Sequence, residues 1–324
     1  MEKLGADALF DCAFIRSVIL SNGLAEIGEG AFFHCRNLET VVIPETVTKI
    51  GPRAFAYSGL KSIILPNGRL TEIGERAISI CYNLETVVIP ETVIKIGRYA
   101  FAISGLKSII LPDGRLTEIE ENAFYECRNL ENIVIPDSVT KIGPGAFAES
   151  GLKSITLLDG RLTEIGDYTF YRCDNLETVV IPNSVTKIGS DAFAESGLKS
   201  ITLPGGRLTE IGNSAFRDCN NLETVIIPET VIKIGFYAFE RSGLKSITLL
   251  DGRLTEIGKD AFCECRNLES VVIPDSVTEI GPGAFAYSGL KSITLPYGVK
   301  IGEDAFYGCS NLVVNYKWPQ CILQ

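Results

Sequence analysis

The chain has 324 residues, 46% hydrophobic and only 22% charged, with a formal net charge of -10. That much apolar surface offsets the entropy of ordering and excludes a disordered chain, while the acidic balance excludes a nucleic-acid partner, whose phosphates demand a Lys and Arg excess. No apolar run reaches the roughly 18 to 20 residues that span a bilayer, and the opening MEKLGADALFDCAF is acidic where a secretion signal is basic and then apolar.

In chain order, residues 1–14 read as a partial repeat that caps the start, with Leu9 and Ile15 in a first turn. Residues 15–311 repeat one pattern, and that repetition decides the architecture before any local propensity does. Leu38, Leu84, Leu130, Leu176, Leu222 and Leu268 stand 46 apart, and Leu60 to Leu290 mark a shorter version between them, so the period holds two turns of 22 and 24 residues. Phenylalanine marks every turn from Phe32 to Phe285 at intervals of 23, with Ile78 as the one substitute. A side chain that returns to one place on a coil predicts a stacked, buried aromatic spine.

Each turn opens Leu-x-x-Val/Ile-x-Ile/Leu, as in Leu38, Val41 and Ile43, and is usually stopped by a proline such as Pro44. This predicts one short parallel strand per turn with its fourth and sixth positions inward. An apolar pair such as Val47 and Ile50 makes the return path, and Gly51 marks the bend into the Ala-Phe corner. About thirteen turns at a strand spacing of about 4.8 Å predict a curved rod on the order of 60 Å long. Residues 312–324 read as a capping strand with polar Asn315 and Lys317 at expected inward positions, followed by a tail.

The stretches LETVVIPETVTKIGPRAFAYS (38–58) and AFYECRNLENIVIP (123–136) resemble the BspA-like, Treponema-type leucine-rich repeats, with their Ile-Pro-x-x-Val-x-x-Ile-Gly-x-x-Ala-Phe-x-x-Cys pattern. The resemblance runs from about Leu9 to Leu312. It implies a leucine-rich repeat solenoid, a protein partner as in surface and host-interaction proteins, and no catalytic residues.

The outward positions of the strand carry three columns. Glu39, Lys61, Glu85, Lys107 and their successors alternate in sign, either as a charged recognition stripe or as a solvated register device. Beside them run Ser or Thr and then Val, Ile or Thr, a surface fit for something flat or repetitive. The most variable positions flank Ala-Phe, and their aromatics, Tyr99, Tyr125, Tyr168, Tyr171, Phe236 and Tyr237, are the candidate partner-binding residues. The alternative there is drift at unconstrained surface sites.

Eight cysteines, from Cys12 and Cys35 to Cys309, share one column with Ser on alternate turns. From Cys35 onward they lie two turns apart, about 9 to 10 Å, beyond the roughly 7 Å limit of a disulfide and beyond metal sharing. The column therefore reads as packing, with Cys12 and Cys35 able to bridge under oxidation and Cys263 off the column. So many unpaired thiols fit a reducing compartment. The single histidine, His34, has no triad or ligand set around it, and no phosphate-cradling glycine motif occurs, so no enzyme, cofactor, metal or small-molecule substrate is expected.

Cys321 escapes the column and stands in CILQ, which matches a prenylation box of the farnesylated class. The resulting expectation is a protein-binding solenoid tethered reversibly to a membrane from its cytoplasmic side. A secreted or cell-surface adhesin without lipid and a soluble scaffold are the alternatives.

Overall fold

The structure is a computed structural model that describes residues 2–317. Two compact units divide it: one runs through Leu162 and takes in Thr169–Leu176, and the other comprises Thr163–Tyr168 with Glu177 onward. Both are parallel β-solenoids without helix among the described residues.

The return path is itself a strand. Each turn carries a face strand of three to five residues, such as Thr40–Val42 or Ser62–Ile64, and usually a two-residue return strand such as Lys49–Ile50 or Glu72–Ile73. Seven return strands lie in each unit, fourteen in all among the described residues. One turn more than the repeat count is present because Glu2–Leu4 already pairs in parallel with Leu24–Ile27. Glu2–Leu4 is thus the first return strand of the solenoid.

Alternation produces the core. Within Thr40–Val42 only Val41 is buried, and Leu38, Ile43, Val47 and Ile50 close the interior around it. The phenylalanine column is the predicted spine: Phe101, Phe124 and Phe147 stack with centroids 5.5 and 5.3 Å apart and nearly parallel rings, and Phe216, Phe239 and Phe262 repeat this at 5.0 and 5.3 Å. All are fully buried, as is Ile78.

The corner beside the spine is closed in a way the sequence does not announce. Arg53, Phe55 and Tyr57 donate their backbone N–H groups to the carbonyls of Glu75, Ala77 and Ser79 on the next turn, while Ala54 and Ala56 donate back to Gly51 and Arg53. Arg53 and Tyr57 take left-handed φ values of 53° and 59° to do so, and the pattern recurs from turn to turn. Few of these residues are glycine, so each corner carries a conformational cost that its hydrogen bonds offset.

The two kinds of junction between face strands differ. Across a 22-residue step the pairing is full, Thr40 to Ser62, Val41 to Ile63 and Val42 to Ile64, whereas across a 24-residue step Ser62 meets Thr86 alone. The last strand, Val313–Lys317, pairs with Ser292–Pro296 in a register that sets Val314 beside buried Ile293 and Asn315 beside outward Thr294, so exposed Asn315 does not take the inward position that the leucine spacing predicts.

Candidate functional surfaces

The charged column of the face strands resolves into pairs instead of a continuous ladder. Lys61, Lys107, Lys199 and Lys245 each donate to the Glu one 22-residue step before, Glu39, Glu85, Glu177 and Glu223, at 2.6 to 2.9 Å. The fully paired junction brings these ends together and the sparse one separates them. Lys61 also holds the Glu39 carboxyl below its ordinary range. These groups are exposed, so the pairs set register and leave no net field.

A second charged column lies on the return strands and went unnoticed in the sequence. Lys49 pairs with Glu72 at 3.0 Å, Lys141 with Glu118 at 2.9 Å and Lys233 with Glu256 at 2.9 Å. The alternation fails once, where Glu279 lies directly opposite Glu256. The signal is Lys or Glu before the return-strand Ile, 23 residues apart from Glu26 to Glu279.

The fifth strand position forms a row. In the first unit Ile19, Val42, Ile64, Val88, Ile110 and Val134 follow one another, each more than half exposed, before Thr156 takes the position. Register places Ile19 beside Val42, Val42 beside Ile64 and Val88 beside Ile110. In the second unit the same position alternates, Val180, Thr202, Ile226, Thr248, Val272 and Thr294.

The predicted corner aromatics divide between the units, with Tyr99, Tyr125 and Tyr171 in the first and Tyr168, Phe236 and Tyr237 in the second. Tyr168 and Phe236 are exposed and the other four half-buried. Four already carry a cation over the ring: Arg76 over Tyr99 at 4.8 Å, Arg172 over Tyr171 at 5.1 Å, Lys233 over Phe236 at 5.3 Å and Lys259 over Tyr237 at 5.9 Å. Tyr125 donates to Glu149 at 3.2 Å, and burial with the neighbouring Glu126 and Glu149 raises its phenol. The Asp191 charge does the same to Tyr168. Their backbones are not free to drift, since Tyr99, Tyr168 and Tyr237 all hold the left-handed corner position.

Sequence reasoning also missed a packed aromatic group at the first unit's corner. Phe33 and His34 stack at 4.5 Å, Phe10 stacks on Phe33 at 5.4 Å, and Tyr57 meets His34 edge-on at 4.8 Å. His34 is thereby a packing residue, with Asp11 3.9 Å from its Nδ1.

The cysteine column is buried and hydrogen-bonded. Cys81 lies 3.4 Å from Ser58 and donates to the Phe55 carbonyl at 3.3 Å, and Cys173 and Cys265 repeat the arrangement with Ser150 and Ser242. Burial pushes Cys81 and Cys127 up to about 11 and Cys173, Cys219 and Cys265 up to about 12. Cys12 and Cys35 are both free thiols, and Cys35 donates to the Leu9 carbonyl at 3.1 Å instead of bridging. Burial and adjacent carboxylates raise Cys263 to about 11. Among the described residues no group of three or more His, Cys, Asp or Glu is placed to hold a metal, and no helix is long and apolar enough to cross a membrane. Cys321 lies outside the described residues.

Parallel face strands, a buried column of leucines and an aromatic spine define a leucine-rich repeat solenoid. Residues 2–116, 95–207 and 197–313 match the BspA type leucine-rich repeat region, in six copies. The chain belongs to the BspA-type leucine-rich repeat family. Among solved structures, a leucine-rich repeat protein of Bacteroides ovatus is 29% identical over 98% of this chain and 87% of its own, with a TM-score of 0.71. A leucine rich cell surface protein of Faecalibacterium prausnitzii is also 29% identical, covering 98% and 83%, with a TM-score of 0.52. The pneumococcal vaccine antigen PcpA shares the fold at 21% identity over 94% and 73%, with a TM-score of 0.51. No curated protein sequence matches the chain.

Proposed function

We propose that the chain is a non-enzymatic repeat protein that binds another protein through the strand face of its first unit. The observation that carries this reading is the unbroken row Ile19, Val42, Ile64, Val88, Ile110 and Val134, each more than half exposed. An aligned row of large aliphatics is surface that monomeric proteins usually bury or use. It is favoured over the corner aromatics because four of those already hold a cation over the ring. The cell-surface assignment of the Faecalibacterium relative supports a role in adhesion. Capture by the full chain should be compared with Ile64→Thr/Val88→Thr/Ile110→Thr and with Tyr99→Ala/Tyr168→Ala/Phe236→Ala/Tyr237→Ala. Loss with the first set alone supports the row; retention by both sets removes it.

Membrane tethering from the cytoplasmic side through a farnesyl group on Cys321 is a separate proposal, supported by Cys321, Ile322, Leu323 and Gln324 alone. Intact mass and membrane fractionation in a eukaryotic host, against Cys321→Ser, test it. Equal distribution and an unmodified mass leave the surface-adhesin reading in its place.

A further inference from the structure

One groove beside the face strands of the first unit is furnished. Between the Tyr82-Asn83 loop and Asn129 in the first unit lies an open groove of about 470 Å³, with Gly105 as its floor and Lys61, Glu85, Thr86 and Lys107 along the strand side. Its origin is the difference between the two turns. The 24-residue turn ends in Cys-Tyr-Asn-Leu and projects one residue further than Ser-Gly-Leu of the next. That next turn tucks so close that a Cβ on Gly105 would sit 2.0 Å from the Tyr82 carbonyl oxygen, which bars any side chain from filling the floor. The volume falls within the range of small-ligand sites, about 300 to 1,000 Å³.

The repeat supplies its own controls. The residue after the column cysteine is Arg36, Tyr82, Arg128, Asp174, Asn220 and Arg266 on successive long turns, and the residue after that is always Asn. Only one of these six places carries an aromatic, and it is the one bordering this groove. Tyr82 is 67% exposed and has no ring or side-chain hydrogen-bond contact among the described residues. Asn83 and Asn129 are exposed, and no side-chain hydrogen bond engages either of them. Asn37, at the corresponding place earlier in the unit, spends its amide on the Ala13 carbonyl.

We propose that this groove binds a neutral saccharide of a glycan chain. A pyranose offers one apolar face for the open ring of Tyr82 and a rim of hydroxyls that both donate and accept. The two Asn amides each present a donor and an acceptor to that rim. The charges cancel, since Lys107 is paired with Glu85 at 2.7 Å and Lys61 with Glu39 at 2.9 Å, so no cation is left over for a phosphate or carboxylate ligand. A wholly apolar ligand would strip water from both amides and the ion pair without replacing it, at about 1 to 3 kcal/mol for each group left unpaired. This site goes beyond the protein-binding row, and its test is independent of it.

Cellotetraose, chitotetraose and mannotetraose should be titrated into the intact protein by calorimetry and by saturation-transfer NMR. At least one should bind with a dissociation constant on the order of 1 mM or tighter. Tyr82→Arg installs the residue found at three equivalent places, so the fold should survive, and it should weaken that saccharide at least tenfold. Tyr82→Phe keeps the ring and should stay within a few-fold of wild type. No binding of any of the three saccharides at millimolar concentration overturns the proposal. Undiminished binding by a folded Tyr82→Arg protein also overturns it, as does a groove that takes only peptides. Loss of protein capture in the Ile64/Val88/Ile110 set, with saccharide binding intact, would bear on the row and leave this site standing.

Discussion

The two units are made from one repeat and differ where repetition does not force them to agree. The first presents six consecutive aliphatics on its strand face before the row reaches Thr156, whereas the second alternates throughout, with Thr202, Thr248 and Thr294 between its aliphatics. The first places β-branched Ile80 and Ile103 in the left-handed corner, at φ of 57° and 56°; the second fills its non-glycine corner positions with Asp, Glu, Ser, Asn, Tyr and Arg. The first breaks its phenylalanine spine at Ile78, and the second does not break it from Phe193 to Phe285. Interior columns are common to both because each side chain there is packed by its own repeat above and below. Exposed and corner positions have no such partner, so the first unit can depart from the pattern at a cost in stability that function must justify.

The largest effect should come from alkali. The buried thiols of Cys81, Cys127 and Cys173 in the first unit and Cys219 and Cys265 in the second keep their protons to about 11 or 12, while an unfolded thiol loses its proton near 8.5. Unfolding therefore releases protons in that window. The stabilisation is complete below about pH 8.5 and is lost as pH rises toward the folded values, by about 1.4 kcal/mol per pH unit for each thiol. Cys263, raised to about 11, gives the second unit a third such thiol, so hydrogen exchange between pH 8 and 10.5 should show both units losing protection together. Cys81→Ser/Cys127→Ser/Cys173→Ser, which copies the alternate turns, should keep the first unit protected while the second still opens; joint loss in that variant would place the alkaline sensitivity elsewhere.

Next in size is binding. Ile64→Thr/Val88→Thr/Ile110→Thr makes the first unit's face resemble the second's, and it should reduce partner affinity more than tenfold, a little over 1.4 kcal/mol, with stability changed by no more than about 0.5 kcal/mol per site. The reciprocal Thr202→Val/Thr248→Val change tests whether the row alone suffices. If it transfers binding to the second unit, the surrounding hydroxyls and ion pairs contribute register only.

Ile80→Asn and Ile103→Asn should each raise the unfolding free energy by about 1 kcal/mol, because asparagine tolerates the left-handed region and a β-branched side chain does not. Equal substitutions at Glu195 or Arg241, already unbranched, should do less. Urea unfolding of the single variants gives the comparison, and no gain at Ile80 would mean that its half-buried side chain packs well enough to offset the strain.

The fold was legible because thirteenfold repetition averages away local ambiguity: Leu38, Val41, Ile43 and Phe55 each had their place confirmed by every other turn. Return strands such as Lys49–Ile50 escaped notice because two residues are too few to show alternation. The left-handed corners were hidden because Arg53, Tyr99 and Ile80 are not the residues that announce positive φ. The one-sided pairing of Lys61 with Glu39 depends on the difference between 22- and 24-residue steps, which sequence shows as spacing but not as distance. Tyr82 was passed over for the same reason, since its groove exists only once Gly105 has tucked under the neighbouring loop.

The smallest expected effect concerns the break in the spine. Ile78 is fully buried in the column that carries Phe55 before it and Phe101 after it. Neighbouring rings elsewhere stack nearly parallel at about 5 Å, as Phe32 and Phe55 do at 4.9 Å. Ile78→Phe would add two such contacts, each worth about 0.5 to 1.5 kcal/mol beyond area burial, against about 1 to 3 kcal/mol if the surrounding turns have closed onto the smaller side chain. Because both flanking turns already accommodate rings on their other sides, the stacking gain should narrowly prevail, stabilising the first unit by about 0.5 kcal/mol. Exchange protection of Phe55 and Phe101 amides would rise accordingly. A fall would show that the column has relaxed around isoleucine, and that the first unit's departures from the repeat have been absorbed by their neighbours.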